Sequence, residues 1–376
     1  MIELRSHRSI REIPEQDWDA LDGVDEAPFL RWAFFDTLEQ TGCIKKASGW
    51  AAHHLTFYQD DRLVGAAPAY LKANSEGEFV FDHAWANAAA RAGMQYFPKL
   101  IVAVPFTPAT APRLLVAKGM DAALMHKVLA EALRKITEAM DISSAHVLFP
   151  PKEQAEALTE AGLILRYGLQ FQWKNAGYAN YEEFLARFSS KRRNQWRRER
   201  KEMQKAGITI DTLIGSDITP EIADLMYGYY TATVDKFHWG RRYLTRAFFE
   251  EIFKRLPGGI EVVLAKEAGK PIAGAFNFIG KNALYGRYWG ASEERPFLHF
   301  NVCYYHSIDT CIERKLGRFE PGAGGEHKMS RGFEPTITFS AHHIQDENFA
   351  KAVRDYLVHE REAIAREAAD PEIAFR

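Results

Sequence analysis

Residues 317–335, GRFEPGAGGEHKMSRGFEP, set Glu326, His327, Lys328 and Arg331 behind Gly322, Gly324 and Gly325. Glycine admits positive φ and lets the backbone come close to a ligand. A carboxylate and an imidazole flanked by cations can move a proton and hold a developing negative charge. Glu326 or His327 is therefore expected to accept a proton in catalysis. Lys328 or Arg331 is expected to hold an acidic substrate group or an oxyanion. A solvated turn between two strands is the alternative for a glycine-rich loop, and the density of ionisable groups argues against it.

A second concentration of charge lies upstream. In SSKRRNQWRRERKEMQKAG, residues 189–207, positions 191–205 hold eight Lys or Arg against two Glu, with Ser189 as N-cap and Gly207 as C-terminal stop. On a helix, Phe188, Trp196 and Met203 make a narrow apolar stripe and the cations cover most of the remainder. Only Glu199 and Glu202 are available for pairing, so Lys191, Arg192, Arg193, Arg197 and Arg198 are candidates for a polyanion such as the phosphates of tRNA. A strand over Tyr285–Trp289 offers Tyr285 and Arg287, and with His299, Glu320 and Arg331 these are the candidate substrate-binding residues.

Those features need elements to position them. The spacing predicts two helices in 14–43, a hairpin of strands 53–58 and 63–71, a strand at 77–84, a short strand at 101–104 in a proline-fixed loop, a helix at 121–140, a strand at 144–149 and a helix at 151–161. The second half repeats the order, with a strand at 169–173, helices at 181–188, 189–207, 220–230 and 245–256, a hairpin at 260–266 and 271–279, a helix at 300–316 and a strand at 318–321. Asp61 to Ala67 matches Gly269 to Ala275 at an offset of 208 positions, each a polar turn, an aliphatic pair and three small residues. That repeat argues for duplication of one mixed α/β unit, with a boundary near residue 165 and domains 1–165 and 166–376.

Composition bounds the remainder. Hydrophobic content of 47% with 26% charged residues and a formal net charge of −2 is that of a soluble globular chain whose overall charge selects no partner. Cys43, Cys303 and Cys311 form no CxxC pair, so neither a zinc ribbon nor a disulfide framework is expected, and Cys303 and Cys311 read as core. His53–His54 and His342–His343 each place one ring toward a core, and no metal site is expected. No apolar run reaches membrane-spanning or signal-peptide length, so a cytoplasmic location is expected; the oligomeric state is left open.

Helices, hairpin, strand, helix and strand in that order describe the GNAT acyltransferase fold. The segments APFLRWAFFDTLEQTGC (27–43), YFPKLIVAVPFTPATAPRLL (96–115), FSSKRRNQWRRER (188–200) and 299–335 resemble the tandem-GNAT, Fem-like family of bacterial peptidoglycan biosynthesis/recognition proteins. The resemblance implies an α/β fold of two tandem GNAT-like domains packed around a shared cleft, and an N-acyltransferase moving an aminoacyl or acyl group to an amine of a cell-wall precursor or another small acceptor. Aminoacyl-tRNA or acyl-CoA would be the donor. The R/QxxGxG/A loop that CoA-using GNAT enzymes place at a helix start is missing, since Phe297, Leu298, His299 and Phe300 stand there. An acyl-CoA-dependent enzyme, or a non-catalytic module binding a peptidoglycan precursor or RNA, are the alternatives.

Overall fold

A computed structural model describes residues 2–238, 240–324 and 326–369, with the side chain of Glu326 and residue 325 outside the described set. The chain forms two compact units: residues up to 170 with those from 336 to 369, and residues 171–335. The sequence expectation leaves the whole C-terminus with the second half, whereas residues 336–369 return to the first unit.

In the first unit the chain runs β1 (Glu3–His7), α1 (Glu15–Asp19), α2 (Trp32–Gln40), β2 (Trp50–Ala52), β3 (His54–Gln59), β4 (Arg62–Ala67), β5 (Ala69–Lys72), α3 (His83–Arg91), β6 (Lys99–Val102), β7 (Leu115–Val116), α4 (Ala122–Ala139), β8 (Ser144–Leu148), α5 (Lys152–Glu160) and into β9 (Ile164–Lys174). Strand order is β1-β3-β4-β7 in one sheet, and β9 heads a run whose far end is β8-β6-β5-β2 in another. Two expectations change. The single strand 63–71 is split, because Pro68 has no N–H to continue a ladder, and β5 departs to the second sheet. No strand forms at 77–84: Glu78 and Asp82 turn inward to meet the buried Lys99 ammonium at 2.8 and 2.5 Å, and α3 starts at His83.

The second unit continues with α6 (Tyr181–Ala186), α7 (Ser190–Lys205), β10 (Ile208–Ile214), α8 (Pro220–Val234), α9 (Arg246–Arg255), β11 (Ile260–Glu267), β12 (Lys270–Ile279), β13 (Ala283–Ala291), a short α10 (Leu298–Phe300), a π-helical turn (Asn301–Tyr305), α11 (His306–Glu313) and β14 (Arg318–Glu320). Strands lie in the order β10-β11-β12-β13-β14-β9. All neighbours are antiparallel except β13 and β14, which run parallel over Ala283–Tyr285 against Arg318–Glu320. Past Tyr285 β13 continues without β14, still paired with β12 as far as Ala291, so the parallel pair opens like a fork. The chain returns through β15 (Glu334–Ile344), which pairs with β8, and ends its described part in α12 (Glu347–Ala369).

The 208-residue repeat is visible in the backbone. Asp60 and Asp61 have φ of 50 and 58°, and Ala268 and Gly269 have φ of 49 and 76°, the left-handed pair that a tight two-residue hairpin turn requires. Each unit also has one parallel pair of three registered residues, β6 with β8 and β13 with β14. Close helix-to-strand packing fixes the second unit: a Cβ on Gly290 of β13 would lie 2.0 Å from the Tyr229 carbonyl oxygen of α8, which is backbone and has nowhere to go. Gly290→Ala is therefore expected to destabilise by at least about 2 kcal/mol. Gly228→Ala, on the exposed face of α8 with open space around it, should stabilise by about 0.5–1 kcal/mol. Thermal unfolding of the two variants checks this pair.

Candidate active site

The glycine-rich loop lies at the fork. Gly322, at φ 88°, sits so close to β13 that a Cβ would be 3.3 Å from the Gly286 carbonyl oxygen, and a Cβ on Gly286 would be 3.2 Å from Pro321 Cα. Both distances are tighter than ordinary side-chain contact, and the positive φ at Gly322 favours glycine as well, so glycines suit the close approach there. The chain then makes a 3₁₀ turn over Glu326–Arg331 and leaves through Gly332, at φ 80°, where a Cβ would be 2.7 Å from Phe184 and 2.9 Å from Phe188. Phe333 follows, fully buried, between the rings of Tyr304 and Phe319.

Three of the expected site residues, His327, Lys328 and Arg331, lie on this turn, and a fourth, His299 of α10, packs against it. His327 is exposed, and its Nε2 lies 3.0 Å from the Tyr304 hydroxyl. Burial, and then the charges of Arg331 and Lys328, hold the His327 imidazole below its ordinary range, so it is neutral near pH 7. His299 packs against Trp289, Tyr304 and His327, and burial lowers it to about 4. Lys328 turns inward, 3% exposed, donating to the Gly322 carbonyl at 2.6 Å; burial brings it down to about 8. Arg331 is buried too, with its guanidinium carbon 3.2 Å from the Phe300 ring centroid and Nη1 donating to the His327 carbonyl at 3.2 Å. The Glu326 side chain lies outside the described residues.

The other candidates are placed differently. Glu320 and Tyr285 are buried on the paired ends of β14 and β13, both held by Arg318, at 2.8 and 3.0 Å. Arg287 is half-buried on β13 beside the Tyr288 ring. Along α7, Arg197 pairs with Glu182, and Arg193 donates to the Phe188 carbonyl and to Ser190. Lys191, Arg192, Arg193, Arg198 and Lys201 pair with no carboxylate among the described residues, so the unneutralised charge is carried by these five.

Sequence reasoning passed over Glu199, Tyr304 and Tyr305. Glu199 is 1% exposed; its Oε2 accepts from the Tyr305 hydroxyl at 2.5 Å and lies 3.5 Å from Arg331 Nη2, and its Oε1 accepts from Gln195 at 2.9 Å. The signal was present. Position 199 falls three after Trp196 and four before Met203, so the carboxylate stands in the apolar stripe itself. The two tyrosines are adjacent in sequence, yet both point inward because the π-helical turn widens the helix there, a feature no residue spacing announces. Glu199→Gln leaves the Arg331 guanidinium buried without its carboxylate and is expected to cost about 2–4 kcal/mol. Adding Arg331→Met removes the stranded charge and should recover at least half of that loss, as read from urea unfolding of both variants.

Among the described residues no cluster of metal-ligating side chains occurs, and no helix is long and apolar enough to cross a membrane. No curated protein sequence matches the chain. Among solved structures, FemX superposes with a TM-score of 0.53 at 11% identity, covering 94% of this chain and all of FemX. L-PGS from Bacillus licheniformis gives 0.49 at 8% identity over 86% of this chain and 94% of its own. A tandem GNAT protein from the clavulanic acid biosynthesis pathway gives 0.42 at 12% over 92% and 99%. The mixed α/β sheets, the repeated hairpin with its parallel pair and the likeness to FemX make this a tandem GNAT-like fold. Residues 9–375 match the family described as FemAB-like, peptidoglycan biosynthesis/recognition, and the chain belongs to it.

Proposed function

We propose that the protein is an N-acyltransferase of Fem-like type, moving an aminoacyl group from an ester donor, aminoacyl-tRNA, to an amine on a cell-wall precursor. The observation that carries this reading is His327, an exposed and neutral imidazole held by the Tyr304 hydroxyl on a glycine loop at the fork of two parallel strands. In the tautomer with the proton on Nε2, that N–H donates to the Tyr304 oxygen and Nδ1 is left to take a proton from the attacking amine. Burial raises Tyr304 well above the ordinary tyrosine range, so it remains a hydroxyl throughout. The amine nitrogen bonds to the ester carbonyl carbon, the carbon–oxygen bond to the donor breaks, and the donor oxygen leaves with a proton.

Lys328 and Arg331 face inward, and in this reading they act on His327 and on the loop's potential; an oxyanion or an acidic substrate group remains a role for whichever of them a bound substrate draws out. Glu326 is the alternative proton acceptor. Lys191, Arg192 and Arg198 supply the phosphate contacts, with Arg193 and Arg197 available only on release from their present partners. The bulky residues ahead of α10, with Phe297 at φ 64° and no side-chain cap, give a CoA pyrophosphate no bed of small residues.

The test is transfer of radiolabel from bulk aminoacylated tRNA to a nucleotide-linked muramyl pentapeptide. Label should appear in the acceptor with the unaltered protein. With His327→Asn it should fall by about 10² to 10⁴ while the melting temperature stays within a degree or two. Equal transfer by His327→Asn with loss in Glu326→Gln would move the base to Glu326. Transfer only from acyl-CoA would replace the donor, and none from either would leave the binding-module reading.

A further inference from the structure

The first unit contains a cleft of about 680 Å³ between the N-terminal strand, the end of α2, the 44–46 segment and the outer side of β2. Three cations line it: Arg8, Lys45 and Lys46. All three are exposed, and none pairs with a carboxylate among the described residues. The cleft has one carboxylate, Glu39, and it is already committed. Its Oε2 accepts from the Ser9 hydroxyl at 2.6 Å, its Oε1 lies 2.9 Å from His54 Nε2, and both oxygens accept from the Ile10 N–H at 3.1 and 3.2 Å. That carboxylate is turned to the interior, and its single charge offsets at most one of the three cations.

Three like charges around one concavity repel one another, and the low-dielectric walls focus their field into it. Surface cations are ordinarily interleaved with acids, as along α4 and α12 of the same unit, where Lys135 pairs with Glu131 and Lys351 with Asp355. Here the interleaving is absent. His53 adds an uncharged ring at the cleft wall, since burial and then His54 and Arg8 hold it below its ordinary range. β2 is the edge of its sheet, so the backbone of Ala51 and Ala52 has no strand partner on the outer side. The volume exceeds what orthophosphate needs and matches a small molecule bearing a multiply charged group.

We propose that this cleft binds a phosphate-bearing small molecule carrying at least two negative charges, held by Arg8, Lys45 and Lys46. The site is separate from the loop at His327 and does not depend on the transferase reading. The probe is inorganic pyrophosphate, titrated into the full chain by calorimetry at low ionic strength. Saturable binding at the cleft is expected. Arg8→Ala and the pair Lys45→Ala with Lys46→Ala should each weaken it by about tenfold or more, and Lys45→Arg with Lys46→Arg should hold it within about threefold. Lys135→Ala with Lys351→Ala, surface cations outside the cleft, should leave it unchanged. Arg8, Lys45, Lys46, Lys135 and Lys351 are all exposed, so the melting temperatures of the four variants should match the parent. No saturable binding, binding indifferent to the cleft variants, or binding lost with the Lys135 and Lys351 change would each overturn the proposal.

Discussion

One buried carboxylate organises the second unit. Glu199 sits on the most cationic helix of the chain, yet it points away from solvent and joins three elements: its own helix through Gln195, the π-helical turn through Tyr305, and the glycine loop through Arg331. Taking a carboxylate out of water costs several kcal/mol, and only a full set of donors returns it. The backbone carbonyl of Glu199 also accepts from Asn301, so helix and π-turn are bonded twice. The loop can hold His327 in one place because Arg331 is held in one place, and Arg331 is fixed by the carboxylate on one side and the Phe300 ring on the other.

The two units began from one plan and now differ in what fills the opening of their parallel pairs. In the second unit the opening meets glycines 286 and 322 and a loop rich in ionisable groups. In the first, the chain past β6 is a proline-rich segment pinned by Arg113, which is fully buried and donates to the carbonyls of Ala109, Ala111 and Leu148 at 2.6 to 2.8 Å. A guanidinium spent on backbone carbonyls leaves that opening packed with protein. Both units carry a parallel pair, and the loop rich in ionisable groups lies at one of them.

Much of this was legible in the residues. Helix periodicity, the Ser189 cap and the polar turns at Asp61 and Gly269 are local signals, and the helices and hairpins follow them closely. The loop at 317–335 was legible because glycine is needed wherever backbones touch. What escaped was set by long-range packing. Nothing near Glu78 or Asp82 shows that Lys99 will turn them inward, and a period-two pattern there reads as a strand. Likewise nothing near Arg331 or Lys328 in the sequence shows their buried partners, Glu199 and the Gly322 carbonyl.

The central claim is that Arg331 acts inward, on His327, and that the imidazole is a neutral base. Proton NMR titration of the His327 ring tests it without any substrate. The account predicts a midpoint below about 6.5, the ordinary histidine value, and a rise when Arg331→Met removes the neighbouring positive charge. A midpoint at or above that value in the parent, or one that Arg331→Met leaves unmoved, would contradict it.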